Sequence, residues 1–304
     1  MPSELLQLGD QIALDPKQFI GIPIALVGAV FLSFGAQFQH RGVAKVEANT
    51  HDVEKGLSVR QMLALLSRPS WVVGTLMLGL AIVFQLTSLG FSPIIVVQPL
   101  GAVALVITAV LNSRVSHVKL NRSSVLSVVL CVGGVGAFVL VAAFTAVDKP
   151  VTSRDLIVIL IVLAVVLALF AVAFGVLRKR FKAIAYIVGA GVLYGFVATL
   201  AKVVISRVFQ AEVDWLALLA LTGLLSAAAL GGYFVQNAYA SGPPDLVIAG
   251  LTVIDPLVAV AIGIVVLGEA SQAPLWAMVA YLAFGAVAIL GVFGLARYHP
   301  QAQR

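Results

Sequence analysis

In the stretch TVIDPLVAVAIGIVVLGE, Thr252 to Glu269, an aspartate stands inside a hydrophobic segment that begins near Leu246. A charged residue at the centre of a membrane span costs on the order of 2.5 to 3.5 kcal/mol on insertion scales, so it is normally kept facing a cavity or a partner. Asp255 could therefore bind a cation, an amine or a proton. Pro256, next in sequence, has no N–H and frees the carbonyl one turn back, which leaves backbone polarity beside the acid. The plainer alternative is a protonated or hydrogen-bonded aspartate that stabilises a kinked helix. A second proline-preceded polar residue occurs in QPLGAVALVITAVL, Gln98 to Leu111, where Gln98 can donate and accept without the cost of a charge. Asp255 and Gln98 would make a substrate site, and Asp255 is the candidate metal ligand.

Weaker candidates for the same site are Gln85, Gln236 and Asn237, whose plainer role is a polar contact near a span end. Lys202 can snorkel its long stem to the interface; the sharper reading makes it a countercharge to Asp255 or a gate for an anionic substrate. Glu269, in the LGE that closes the segment, reads as a helix-end and loop contact before a transport residue.

The elements that must hold these residues follow from composition. The 304 residues are 61% hydrophobic and 11% charged, against about 25% charged in soluble domains. A span of hydrocarbon needs roughly 20 apolar residues in a helix, and nine such runs are present, near 19–38, 71–90, 93–112, 124–146, 154–176, 183–207, 215–237, 245–268 and 274–295. They are apolar all round, which excludes the short alternating strands of a β-barrel. The fold class is all-α, a polytopic bundle. Residues 1–150 form a first half of four spans plus a cytoplasmic amphipathic segment, LSVRQMLALL from Leu57 to Leu66, and residues 151–304 a second half of five spans, with the polar Asp148-Lys149-Pro150 between them.

The first 18 residues lack a positive n-region, so the first span is expected to stay in the mature chain. The net charge of +6 serves the membrane surface rather than nucleic acid. Fourteen lysines and arginines fall on one side, whereas the other holds Lys17, Lys149, Arg154 and Arg207; the positive-inside rule then puts the N-terminus outside and the C-terminus in the cytoplasm of a plasma-membrane protein. The lone Cys131 is a packing residue that cannot form an intrachain disulfide. The four histidines have no zinc spacing, and HExxH, phosphate-cradling and nucleophile-elbow motifs are missing, so neither an enzyme nor a cofactor is expected.

The two proline segments match each other. Over nine positions from the proline, six are identical: Pro99/Pro256, Leu100/Leu257, Ala102/Ala259, Val103/Val260, Ala104/Ala261 and Ile107/Ile264. Each follows a span with amides near its end and a Gly/Ser/Pro turn. Four spans intervene, so the copies cross the membrane in opposite directions. Such an inverted repeat, with helix-breaking Pro99 and Pro256 at matching places, belongs to alternating-access carriers with a site near the repeat interface.

At LGFSPIIVV followed by QPLGAVALVITAVL, and again at the DPL segment ending in LGE, the sequence resembles the drug/metabolite transporter superfamily (EamA-like), nearest to the NIPA-type magnesium transporter branch. The resemblance covers about Phe19 to Tyr298 and includes the four-plus-five helix count. Where the NIPA-type families carry a glutamate and, three residues later, an asparagine, this chain has Ile82 and Gln85. The resemblance thus implies a transporter fold and leaves the cargo open. The expected function is a secondary transporter moving a small solute or cation between its two halves. A NIPA-like magnesium transporter, a lipid or lipid-linked-sugar translocase, and a non-transporting membrane subunit are the alternatives. The lipid bilayer is the obligatory partner, and the sequence leaves a homodimer open.

Overall fold

The computed structural model describes residues 19–47, 67–115, 121–177, 183–211, 214–241 and 244–298. The expected amphipathic segment Leu57–Leu66, the basic run 178–182, and His51, His117 and His299 lie outside them. The described residues form nine helices in the order α1 (Gly21–Glu47), α2 (Pro69–Phe91), α3 (Ile94–Val115), α4 (Arg122–Thr145), α5 (Ser153–Leu177), α6 (Ala183–Phe209), α7 (Trp215–Ser241), α8 (Pro244–Val265) and α9 (Leu275–Tyr298). Each is long and apolar enough to cross a membrane. Water cannot satisfy backbone groups in hydrocarbon, so helices that close their own hydrogen bonds are the natural element here. Large apolar side chains accordingly face outward on several helices, among them Leu76, Leu140, Val172 and Leu282.

Local sequence explains where several helices start. Asn121 caps α4 through a 2.7 Å bond from the Ser124 N–H. Thr152 and Asp155 cap α5 reciprocally: Asp155 accepts from the Thr152 N–H at 2.9 Å, and Thr152 Oγ1 accepts from the Asp155 N–H at 3.3 Å. Asp214 accepts from the Ala217 N–H at the head of α7. Pro99 and Pro256 do not break their helices. Both lie inside a continuous α3 or α8, because a missing N–H costs one hydrogen bond that neighbouring helices can compensate without ending the element.

Packing repeats with an offset of five helices. In the first half α1 packs on α2 and α3, and α3 packs on α4; in the second, α6 packs on α7 and α8, and α8 packs on α9. Counterparts also meet across the centre, α3 against α8 and α4 against α9. The extra helix, α5, packs on α6 and α7. Close approach relies on missing Cβ atoms: one at Gly191 would lie 2.7 Å from Ile254 Cβ, and one at Gly195 would lie 2.6 Å from Val258 Cβ. Small residues at such crossings are how helices pack where lipid removes the hydrophobic drive between them.

Candidate functional site

Asp255 sits on α8 one residue beyond the contact of Ile254 with Gly191 of α6, and a Cβ on that glycine would be 3.4 Å from the Asp255 nitrogen. The carboxylate is thus carried on the seam between α6 and α8. Its Oδ1 is buried and has no hydrogen-bond partner among the described residues. An unpartnered buried carboxylate oxygen is costly unless something else meets it. Tyr194, between the two packing glycines of α6, lies within electrostatic range of Asp255. In sequence GAGVLYG, Gly189 to Gly195, reads as a stretch for close helix packing, and a tyrosine at mid-span, whose hydroxyl wants a partner, is the signal for Tyr194.

Gln98 lies on α3, which packs directly on α8, and is 7% exposed. The two polar groups do not sit at one depth. Glu269, just past α8, bonds to the first residues of α3, so the two helices run antiparallel from a common end. At 1.5 Å per residue Gln98 lies about 6 Å into α3, whereas Asp255 lies about 15 Å back from the end of α8. They are stations along one interface rather than a face-to-face pair. The two prolines do share a surroundings: Pro99 and Pro256 line an apolar cavity of about 260 Å³ between α3, α4, α8 and α9, with Phe138, Thr252 and Tyr281 in its wall.

The remaining candidates are placed elsewhere. Gln85 is half-buried on α2, opposite Gly28 of α1. Gln236 is exposed, and the Asn237 amide donates to the Tyr233 carbonyl of its own helix at 2.7 Å. Lys202 does not face Asp255 as a countercharge. Its Nζ donates to Asp148 Oδ1 at 2.7 Å and to the Ser92 carbonyl at 2.8 Å, because the connection from α4 to α5 folds over the last third of α6. Ile82, at the position where NIPA-type families carry an acid, is 61% exposed on the outer face of α2. The described residues hold no group of three or more His, Cys, Asp or Glu side chains able to bind a metal.

A second polar cluster surrounds Glu269, which is the helix-end and loop contact that its place in LGE suggests. Glu269 is 1% exposed; its Oε1 accepts the Ile94 N–H at 2.8 Å and its Oε2 the Ile95 N–H at 2.9 Å. Burial pushes this carboxyl up, opposed by Lys202 and by the two N–H donors. Its backbone carbonyl also accepts the Val147 N–H at 2.8 Å. Arg207, fully buried nearby in sequence to Lys202, donates to Ser153 Oγ at 2.8 Å and lies 3.9 Å from Asp214.

Against known proteins, the family model described as Magnesium transporter NIPA matches residues 16–208, which hold α1 to α5 and all but the last residue of α6. An uncharacterized protein of Corynebacterium glutamicum is 26% identical over 283 residues, 92% of this chain and 96% of that protein. Probable magnesium transporter NIPA3 of Arabidopsis thaliana is 29% identical over 114 residues, 38% of this chain and 30% of its own. Probable magnesium transporter NIPA1 of the same plant is 26% identical over 127 residues, 42% of this chain and 36% of its own, so the plant matches span about a third of those proteins. No solved structure matches. With more than half of its length matched by the family model, the chain belongs to the Magnesium transporter NIPA family and is a multi-pass membrane transporter.

Proposed function

We propose that the chain carries a cation across the membrane by alternating access, with Mg2+ as the first candidate, its two inverted halves rocking about a path that passes Asp255 and Gln98. The observation that carries this reading is the buried, unpartnered Oδ1 of Asp255 in mid-span. A lone carboxylate attracts a cation without stripping it, and Mg2+ commonly keeps several waters while bound through one or two carboxylates. Gln98, further along the same interface, offers a neutral oxygen to a partly hydrated ion. The relatives described as probable magnesium transporters support this choice of cargo.

Purified protein in liposomes loaded with a Mg2+ indicator tests it. Flux of Mg2+ above that of protein-free liposomes is expected, competed by some members of a divalent-cation panel, and Asp255→Asn should lower it at least tenfold. Flux of the parent that Asp255→Asn leaves unchanged would remove Asp255 from the path. A second reading, translocation of a lipid-like substrate, is favoured by the apolar cavity lined by Pro99 and Pro256; movement of a labelled lipid with no cation flux in the same liposomes would select it.

A further inference from the structure

The caps of α4 and α5 are local, made by side chains within a few residues of the helix they start. The cap of α3 is made by a residue 175 positions away. Local caps move with their own helix, whereas Glu269 ties the second half of the chain to the first. Lys202 does the same through two bonds, joining α6 to the α2–α3 turn at Ser92 and to the α4–α5 connection at Asp148. Together these contacts cinch four segments at the end of the bundle where α3 begins. On its open side lies a cavity of about 300 Å³ lined by Asp148, Lys149, Lys202, Ser206 and Gln210. Asp148 keeps 28% of its side chain exposed while Lys202 keeps 5%, so the ion pair sits at the boundary between that cavity and the packed interior. Gln98 is one turn beyond Ile94 on the helix that Glu269 holds.

We infer that Glu269, Lys202 and Asp148 are the gate at this end of the transport path, shut in this structure and released when the path opens to that side. The inference rests on the alternating-access reading above. They act as positioning residues: they fix the start of α3, and with it Gln98, rather than bind the cargo. Releasing the Asp148–Lys202 pair costs a charge-assisted hydrogen bond that water in the adjoining cavity can replace, which suits a contact made and broken in each cycle.

The test reads accessibility. Gln98→Cys in the full-length protein in liposomes is labelled by a membrane-impermeant maleimide from the side on which residues 148–150 lie; Cys131, at 0% exposure, stays silent. Glu269→Gln, Asp148→Asn and Lys202→Met are each expected to speed labelling about tenfold, the change in population that about 1.4 kcal/mol produces. Lys202→Arg, which keeps the charge and the donors toward Asp148 and the Ser92 carbonyl, should label close to the parent rate, which loosened packing would not do. If Glu269→Gln does not fold, Asp148→Asn, which keeps its shape, gives the reading. Labelling at the parent rate in Glu269→Gln, Asp148→Asn and Lys202→Met overturns the gate, as does labelling of Lys202→Arg as fast as that of Lys202→Met. Flux is read separately: Mg2+ flux unaffected by Asp255→Asn would remove the cargo site while a tenfold labelling response still upheld the gate.

Discussion

Glu269 reaches α3 only because the residues before it clear the way. Gly268 turns the chain with a φ of +65°, a left-handed conformation that suits glycine, and a Cβ on Gly263 would lie 2.8 Å from Glu269 Oε2. Gly263→Ala should therefore displace a carboxylate fixed by two N–H donors and destabilise the protein by about 1 to 3 kcal/mol, the penalty of leaving buried polar groups unmet. Gly101→Ala is the control, since nothing lies within 4 Å of its added methyl; it should be neutral or raise stability by up to about 1 kcal/mol through helix propensity. Thermal unfolding in detergent separates the two, and equal melting temperatures would contradict this account of Gly263. The asymmetry between the acids explains what sequence could reveal here. Asp255 stands out because its cost is intrinsic to its position in an apolar run, whereas the meaning of Glu269 lies in a partner 175 residues away that no local pattern announces.

At the scale of elements, apolar run length located all nine helices, because spanning hydrocarbon leaves little freedom in where a helix can be. Helix ends were less legible. α1 continues to Glu47 and α7 to Ser241, beyond the apolar runs that announced them, whereas α8 stops at Val265, three residues before the apolar run ends, because the chain must fold back to seat Glu269. The prolines misled in the same way: their lost hydrogen bond is local, and the packed bundle carries α3 and α8 through it. Packing at the α6–α8 crossing is governed by contact rather than by chain ends. Gly195→Val would drive a branched side chain into Val258, whose Cβ already lies 2.6 Å from the hypothetical methyl carbon. Overpacking of this kind costs roughly 1 to 3 kcal/mol. The expected outcome is a lower melting temperature and, because the same crossing carries Asp255, reduced flux; a variant as stable as the parent would show that α6 and α8 can separate at no cost.

For the whole molecule, the repeated neighbour pattern and the antiparallel meeting of α3 with α8 relate α1–α4 to α6–α9, and α5 stands outside that relation. Sequence reasoning reached this arrangement from six identities around the two prolines, but the depth difference between Gln98 and Asp255 needed coordinates, since it depends on where each helix begins. Charge gives the expected orientation. The end that carries Lys149 and Arg207 is poor in lysine and arginine, and the end that carries Arg114, Arg122 and Arg297 is rich, so the positive-inside rule predicts an extracellular gate. In intact cells Lys149→Cys, exposed beside the gate cavity, should react with an impermeant maleimide, while a tag placed after Arg297 should be protected until the membrane is permeabilised. The reverse pattern would move the gate to the cytoplasmic face and leave the helix packing untouched. Reaction of both sites from one side would contradict an odd number of spans between outside and inside, and with it the antiparallel pairing on which the two-half path depends.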